Sequence, residues 1–496
     1  MLSVSYLDYP LLTIIQLVPL LGAVIVYWLR DWKWAMVLTR IIAGIELLLA
    51  IVVTSVFDSN NGAPQLSEQL PTLYYHVAVD GVTVLFILLI AFITLMLTIY
   101  SLVRRLHSAS RLSTLILATE SVLMVMVVTL DLFWFTAASA AEIVLVALFL
   151  NNWSTAAEED RALAMIRFLQ FQGAGLFLLS AGAIMLAWNH ADRIGRWSFD
   201  LADLVATPLP ARLQSVVFFL LFYGLALRTP LFPLHGWLPH VVHRGTVALV
   251  PSLLLGVKTG IYGMVRFLLP LTPHAAISWR PYVVGVAMTG VFYAAILAFL
   301  QTNLRRLLSF AVISHTSLMV IGLFTLNAKG MQGAVLLSAT SGLAVTVMLF
   351  MVGFVFRRAR STDLDKLGGL FERIPFVAAT FFIAGLSTIG MPGTPSFDAV
   401  HLVLDAVIER FGTLPAVTTA LGNVVAAGFL LWAFQKAFLA PLPESRTAAV
   451  DRTLPIEYLS GIILIIVLLV AGFYVEPWLD LIDATIKALV VRIGEG

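Results

Sequence analysis

Apolar residues along this chain run in blocks of about 20, enough for a helix to cross the roughly 30 Å hydrocarbon layer of a bilayer. About fourteen such blocks can be read. They begin near Pro10, Met36, Val82, Thr114, Leu132, Ala164, Leu213, Val247, Tyr282, Leu307, Gly333, Phe376, Leu414 and Tyr458. The polar stretches between them are short, and no Gly/Ser linker, low-complexity tract or long charged run divides them. The pattern therefore predicts one all-α integral membrane domain over residues 1–496. The first block has no basic run before it and no small-residue cleavage site after it, which predicts a retained span in place of a secretory signal. From Pro477 to Ile493 the pattern becomes amphipathic, predicting a surface helix over 477–493.

Proline and glycine mark two of the blocks as discontinuous. Pro230, Pro233 and Pro239 interrupt the seventh, and Gly390, Pro392, Gly393 and Pro395 interrupt the twelfth. Proline removes a ladder donor and clashes with the preceding turn, so each helix must open there. Freed backbone groups at membrane depth are tolerated only within protein or beside water. Broken helices in corresponding places point to inverted repeats around a midplane path. The expectation is a first repeat over 114–270 (helices 4–8) and a second over 280–440 (helices 9–13).

Basic residues fall mainly in alternate loops: Arg30 with Lys33; Arg104, Arg105 and Arg111; Arg244; Arg305 with Arg306; Arg357, Arg358, Arg360 and Lys366; then Arg446 and Arg452. Cytoplasmic loops retain such residues, so this side is expected to be cytoplasmic and both termini to lie outside it. Arg193, Arg196 and Arg212 are the exception.

Composition narrows the chemistry. Sixty per cent of residues are apolar and 12% charged, against roughly 45–50% and about 25% in soluble proteins. Mean hydropathy is +0.97. A formal charge of +2 leaves no reason to expect a nucleic-acid partner. The chain has no cysteine, which excludes disulfides, thiolate-bound zinc, iron–sulfur ligation and thiol catalysis on it. No GxSxG, HExxH, P-loop or dinucleotide fingerprint stands in a usable context. No metal or cofactor is expected on this chain, and any zinc or redox centre would belong to a partner.

Charges inside apolar runs are the remaining signal, because each costs about 2.5–3.5 kcal/mol at mid-bilayer. Glu142, Arg228, Lys258 and His315 are deep and mark the candidate ion path. Glu46 and Glu120 are secondary candidates, as are His235, His240 and His243 around the first break. Arg40, Asp80, Asp131, Arg266, Arg410 and Lys436 lie near span ends and read as caps or interface anchors.

The segments RTPLFPLHGWLP and LLLGVKTGIYGMVRF resemble the seventh and eighth spans of the antiporter-like subunits of respiratory complex I, the M-type (chain 4) subunit above all. That family is related to cation/proton antiporter and membrane-hydrogenase subunits. VDGVTVLFILL, LRRLLSFAVISH and LGGL…GMPGT extend the resemblance in order, over about residues 80–440. It implies fourteen helices, inverted repeats, proton transfer through buried groups and assembly beside other membrane subunits, in a bacterial inner membrane. By position it implies that Glu142 is the fifth-span glutamate, Lys258 the eighth-span lysine and His315 the tenth-span histidine.

Several titratable positions depart from that pattern. Arg228 stands where the family has a lysine, and an arginine does not deprotonate, so it can be a fixed counter-charge but not a relay. Ser341 stands at an eleventh-span histidine position, and His240 replaces the acid after HGWLP. Val400 stands at the twelfth-span exit charge, with Asp398, His401 and Asp405 as substitutes. Such changes suit a specialised relative, such as the membrane subunit of an inorganic-carbon uptake system. Its cytoplasmic partner is a large zinc-bearing, carbonic-anhydrase-like protein. A quinone-reductase or hydrogenase subunit with redox partners is the alternative, and a non-conducting scaffold is another.

Overall fold

The structure is a computed structural model that describes residues 3–4, 9–32, 34–70, 74–104, 108–245, 250–441 and 453–495. Of these, 3–4, 102–104, 250–255 and 495 are described by backbone alone. Lys33, Arg105, Arg446 and Arg452, and the start of the eighth block at Val247, lie outside the described residues.

Helices form where the apolar blocks predict them. The first half holds α1 (Leu11–Trp28), α2 (Ala35–Val56), α3 (Gly81–Arg104), α4 (Ala109–Val128), α5 (Leu132–Trp153), α6 (Glu158–Ile194), the short α7 (Leu201–Ala206) and α8 (Ala211–Arg228). Next come α9 (Trp237–Arg244), α10 (Val250–Gly263), a π-helical turn over Met264–Leu268 and α11 (Leu269–Leu271). The second half holds α12 (Pro273–Phe299), α13 (Leu304–Leu323), α14 (Ala328–Ala359), α15 (Leu370–Arg373), α16 (Pro375–Ile389) and α17 (Pro395–Phe411). It closes with α18 (Thr413–Phe434), a π-helical turn over Gln435–Leu439, α19 (Pro455–Phe473) and α20 (Glu476–Glu495). Among the described residues, 12 helices are long and apolar enough to cross a membrane. The eighth and twelfth expected spans correspond to shorter helices, α10 and the apolar α16.

The expectation of an all-helical chain missed one feature. Three short antiparallel strands, β1 (Ser3–Val4), β2 (Gln65–Leu70) and β3 (Tyr75–Val79), form a sheet in the order β1-β2-β3. It sits over the N-terminal ends of α1 and α5. Glu68 of β2 accepts from the Leu12 amide at 2.7 Å and the Thr13 hydroxyl at 2.6 Å, and Leu130 N donates to His76 O. The stretch 477–493 lies within α20. It packs against the start of α3, where Gly81 N donates to Thr485 Oγ1 at 3.0 Å. A Cβ at Gly81 would meet the Leu481 carbonyl at 1.8 Å, so only glycine lets the two backbones approach.

The core gathers around α14, whose 32 residues contact α3, α10, α13, α16, α17, α19 and α20. Its most apolar stretch is wholly enclosed by the rest of the chain. On one membrane face its C-terminal end is fixed to α19, as Glu457 takes Arg358 at 2.5 Å and Arg357 at 3.5 Å.

One backbone pattern occurs twice. At the start of α5, Leu132 N donates to Phe199 O and Leu201 N to Leu130 O. At the start of α13, Leu304 N donates to Thr362 O and Leu364 N to Thr302 O. Each helix is N-capped by the residue at the bridge: Asp131 accepts from Phe133 N and Trp134 N, Asn303 from Arg305 N and Arg306 N. The two helix breaks match as well. Leu231 N reaches back to Ala226 O and Met391 N to Leu386 O, five residues in each case. The carbonyl left over is then satisfied by a side chain. Trp237 Nε1 donates to Leu227 O at 3.0 Å, and Asn423 Nδ2 to Ile389 O at 2.9 Å.

Asn303 also donates to Thr362 Oγ1 and Asp363 Oδ1. Burial would raise the Asp363 carboxyl, but hydrogen bonds from Asn303 and Lys366 outweigh it and hold the group below its ordinary value. A carboxyl lowered on folding stabilises above its ordinary pKa of about 3.9, and that contribution is lost as the pH falls through the lowered value. Asn303→Ala is expected to cost about 0.5–2 kcal/mol. It is also expected to weaken the loss of stability on acidification. Thermal unfolding in detergent at neutral and acid pH measures both, and an unchanged midpoint would rule out the cap.

Candidate functional site

Three of the four deep charges meet around α10. Arg228 is the last residue of α8, placed there because Pro230 ends the helix. Its Nη2 forms an ion pair with Glu142 Oε2 from the middle of α5, and both side chains are almost fully buried. The same guanidinium donates from Nε to Thr259 Oγ1 on α10 at 2.9 Å, and from Nη2 to Met126 Sδ on α4 at 3.3 Å. The carboxylate lies directly on α10. A Cβ added at Gly256 would come within 1.5 Å of Glu142 Oε1, so the pair requires glycine there.

Lys258 is the residue before Thr259 and points to the other side of α10. Its ammonium is buried and donates to Ser341 Oγ on α14 at 3.0 Å, with Met319 Sδ on α13 at 3.7 Å. No carboxylate pairs with it among the described residues. His315 lies one turn before Met319 on α13, is 2% exposed, and its Nε2 has no hydrogen-bond partner among the described residues. The order across the protein is therefore Glu142, Arg228, Thr259 and Lys258, then Ser341 and Met319, then His315. Lys258 and Thr259, adjacent residues of one helix, thus bring two cations to the centre of the arrangement, the first as its own ammonium and the second by holding Arg228.

The secondary candidates do not join it. Glu46 on α2 and Glu120 on α4 are buried in the N-terminal helices. His235 sits in the first break with its ring against Phe232 and Tyr293, centroids 5.9 and 5.2 Å away. His240 contacts Arg167 and, at 3.4 Å, Arg244, which itself pairs with Asp160. His243 follows one turn later on α9. No group of three His, Cys, Asp or Glu is placed to hold a metal among the described residues. Asp398, His401 and Asp405 share α17, and His401 pairs with Asp405 at 3.7 Å on its outward side, away from Lys258 and His315. Val400 faces the interior instead. Asp80 and Arg266 form a buried ion pair at 2.7 Å beside Tyr262 and Thr83, a partnership that their separate reading as anchors missed. Sequence reasoning also missed Gly256, Thr259 and Met126, since nothing in an apolar helix marks a small or neutral residue as the seat of an ion pair.

A family model described as "NADH:quinone oxidoreductase/Mrp antiporter, TM" matches residues 130–425. NADH-quinone oxidoreductase subunit M of Mycobacterium tuberculosis is 28% identical, over 98% of this chain and 95% of that protein. The subunit M of Escherichia coli K12 is 31% identical over 63% of this chain and 62% of that protein. Among solved structures, a chain of respiratory complex I from Thermus thermophilus superposes with a TM-score of 0.87 at 22% identity, covering 97% of this chain and 100% of that one. A chain of the Mrp complex from Dietzia gives 0.84 at 16% identity, with 98% and 99% covered.

Removing one member of a buried ion pair costs about 3–5 kcal/mol, because the other is left charged and alone. Arg228→Ala is expected to lose that much, and Gly256→Ala to lose stability by displacing the carboxylate. Replacing both charges, as in Glu142→Leu with Arg228→Met, should recover most of the loss. Thermal unfolding in detergent separates these outcomes; an Arg228→Ala protein as stable as the parent would refute the pairing.

Proposed function

The chain belongs to the NADH:quinone oxidoreductase/Mrp antiporter transmembrane family, and from that premise we propose that it is the proton-translocating membrane subunit of a multisubunit energy-coupled complex. Protons pass along Glu142, Lys258 and His315, with Arg228 as a fixed counter-charge. The observation that carries this reading is Lys258: an ammonium buried at membrane depth, held by a hydroxyl and a sulfur, one residue from the threonine that holds Arg228. With Glu142 ionised, Arg228 is neutralised. When Glu142 takes a proton, Arg228 becomes an uncompensated cation beside Lys258, and the repulsion drives the lysine proton on toward His315. Arginine suits the fixed role because it keeps its charge in any protein environment.

The halves 114–270 and 280–440 are inverted repeats in this reading. The paired bridges at Asp131 and Asn303, the paired breaks and the paired π-helical turns support it. Counting equal distances from those landmarks, Ser314 falls opposite Glu142, Thr388 opposite Arg228 and Phe429 opposite Lys258. The second half thus has no titratable copy of the first-half site. This asymmetry, with Ser341 and Val400, favours a specialised complex over a standard respiratory pump. The finer proposal is the membrane half of an inorganic-carbon uptake system, whose zinc-bearing, carbonic-anhydrase-like partner hydrates CO2 on the cytoplasmic side. This chain holds no cofactor in that scheme. Both of its termini lie outside the cytoplasm of a bacterial inner membrane.

Lys258→Ala is expected to abolish coupled transport while the assembled complex survives on a native gel. Intact transport would remove the relay. Gentle purification with mass spectrometry of the co-purifying chains then decides the setting. A large zinc protein supports inorganic-carbon uptake, whereas quinone-reductase or hydrogenase subunits replace it with a redox-driven pump. Intact function after neutralising Glu142, Lys258 and His315 together would leave a scaffold.

A further inference from the structure

Among the described residues, buried carboxylates follow one rule with two exceptions. Glu68 takes the Leu12 and Thr13 amides, Asp80 has Arg266, Asp131 caps α5, Glu142 has Arg228 and Glu457 has Arg357 and Arg358. Glu46 and Glu120 have nothing comparable. They are 0% and 1% exposed, and none of their four carboxylate oxygens has a hydrogen-bond partner among the described residues. Glu46 comes from the middle of α2 and Glu120 from α4, and Glu46 is the charge that acts on Glu120 across the contact between those helices. Thr94 of α3 is the polar side chain beside Glu120. Around them Ile42, Ala43, Leu95 and Leu117 form an apolar cluster.

Two carboxylates in such a setting cannot both remain ionised. Each charge is costly at membrane depth, and like charges sharing a site oppose one another further. A metal cation could relieve the repulsion only with about six oxygen ligands, and two glutamates with one threonine fall short of that. A proton needs no cage. It converts one carboxylate into a donor for the other, which supplies the hydrogen bond that both lack.

We propose that Glu46 and Glu120 form a second proton-binding site, an acid pair that holds at least one proton between α2 and α4. A column of polar groups leads toward it from the strand-bearing face. Glu68 accepts from the Thr13 hydroxyl at 2.6 Å, Thr13 meets the Tyr75 hydroxyl at 2.8 Å, and Gln16 Nε2 donates to Tyr75 at 2.9 Å. Gln16 O in turn accepts from Ser121, the neighbour of Glu120, at 2.8 Å. On its other side α4 carries Met126, which touches Arg228. The pair therefore lies beside this polar column, on a helix that also borders the Glu142–Arg228 site. It does not depend on the transport reading above, since it concerns occupancy by a proton and not flux.

Dicyclohexylcarbodiimide enters apolar regions and adds to protonated carboxyls, so it reports this occupancy in the intact complex in native membranes. Peptide mapping is expected to find one adduct at the pair, on Glu46 or Glu120, whatever is found at Glu142. Glu46→Gln and Glu120→Gln should each keep an adduct on the remaining acid, and the double variant should carry none at either position. Because the reagent must reach the site, infrared difference spectra of parent against double variant provide a second readout, a protonated carboxyl band lost in the variant. Either the adduct or the band supports the pair. Absence of both overturns the proposal, and so does protection from labelling by Na⁺ at constant pH, which would make the site a cation site. Loss of transport in Lys258→Ala tests different residues, so the two proposals fail independently.

Discussion

Hydrocarbon offers no hydrogen bonds, so every backbone polar group at membrane depth must find its partner within the protein or beside water. The architecture around the two broken helices follows from that requirement. Proline opens α8 at Pro230, and the carbonyl of Leu227 would be stranded without the Trp237 indole. At the second break the Asn423 side chain does the same for Ile389. A tryptophan and an asparagine, different in size and reach, solve one geometrical problem. Their positions are fixed by the backbone groups that the breaks leave free.

The same requirement separates the two breaks chemically. At the first, the end of α8 delivers a guanidinium, and α5 and α10 must supply a carboxylate, a hydroxyl and a glycine to receive it. At the second, α16 ends in Thr388 and Ile389, neither of which carries a charge: the Thr388 hydroxyl donates back to Ala384 O, and the Ile389 carbonyl takes Asn423. One backbone device thus frames an electrically active site in one place and a neutral one in the other. The field that Lys258 feels comes from the first break.

Much of this was legible in the sequence, for reasons that differ from residue to residue. Glu142, Arg228 and Lys258 stand out because ionisable groups are rare in apolar runs. The pairing of Glu142 with Arg228 spans 86 positions, and no local spacing carries it. Thr259, Gly256 and Ser341 were invisible as partners because small neutral residues are common in packed membrane helices. The strands were missed for a different reason. An inward position of β2 is Glu68, a carboxylate satisfied by Leu12 and Thr13, so the alternation that signals a half-buried strand is masked. Asp398, His401 and Asp405 lie in the right stretch of chain, yet the helical period turns His401 and Asp405 outward and leaves Val400 inside.

The enclosure of α14 bears on how the protein is made. Its sequence emerges from the ribosome after α3 and α10, which it must touch, and before α16, α17, α19 and α20, which must cover it. Until Ser341 arrives, the Lys258 ammonium lacks its hydroxyl partner. The two halves are therefore not independent folding modules. The surroundings of Lys258 become complete only when the second half has placed its longest buried helix against the first.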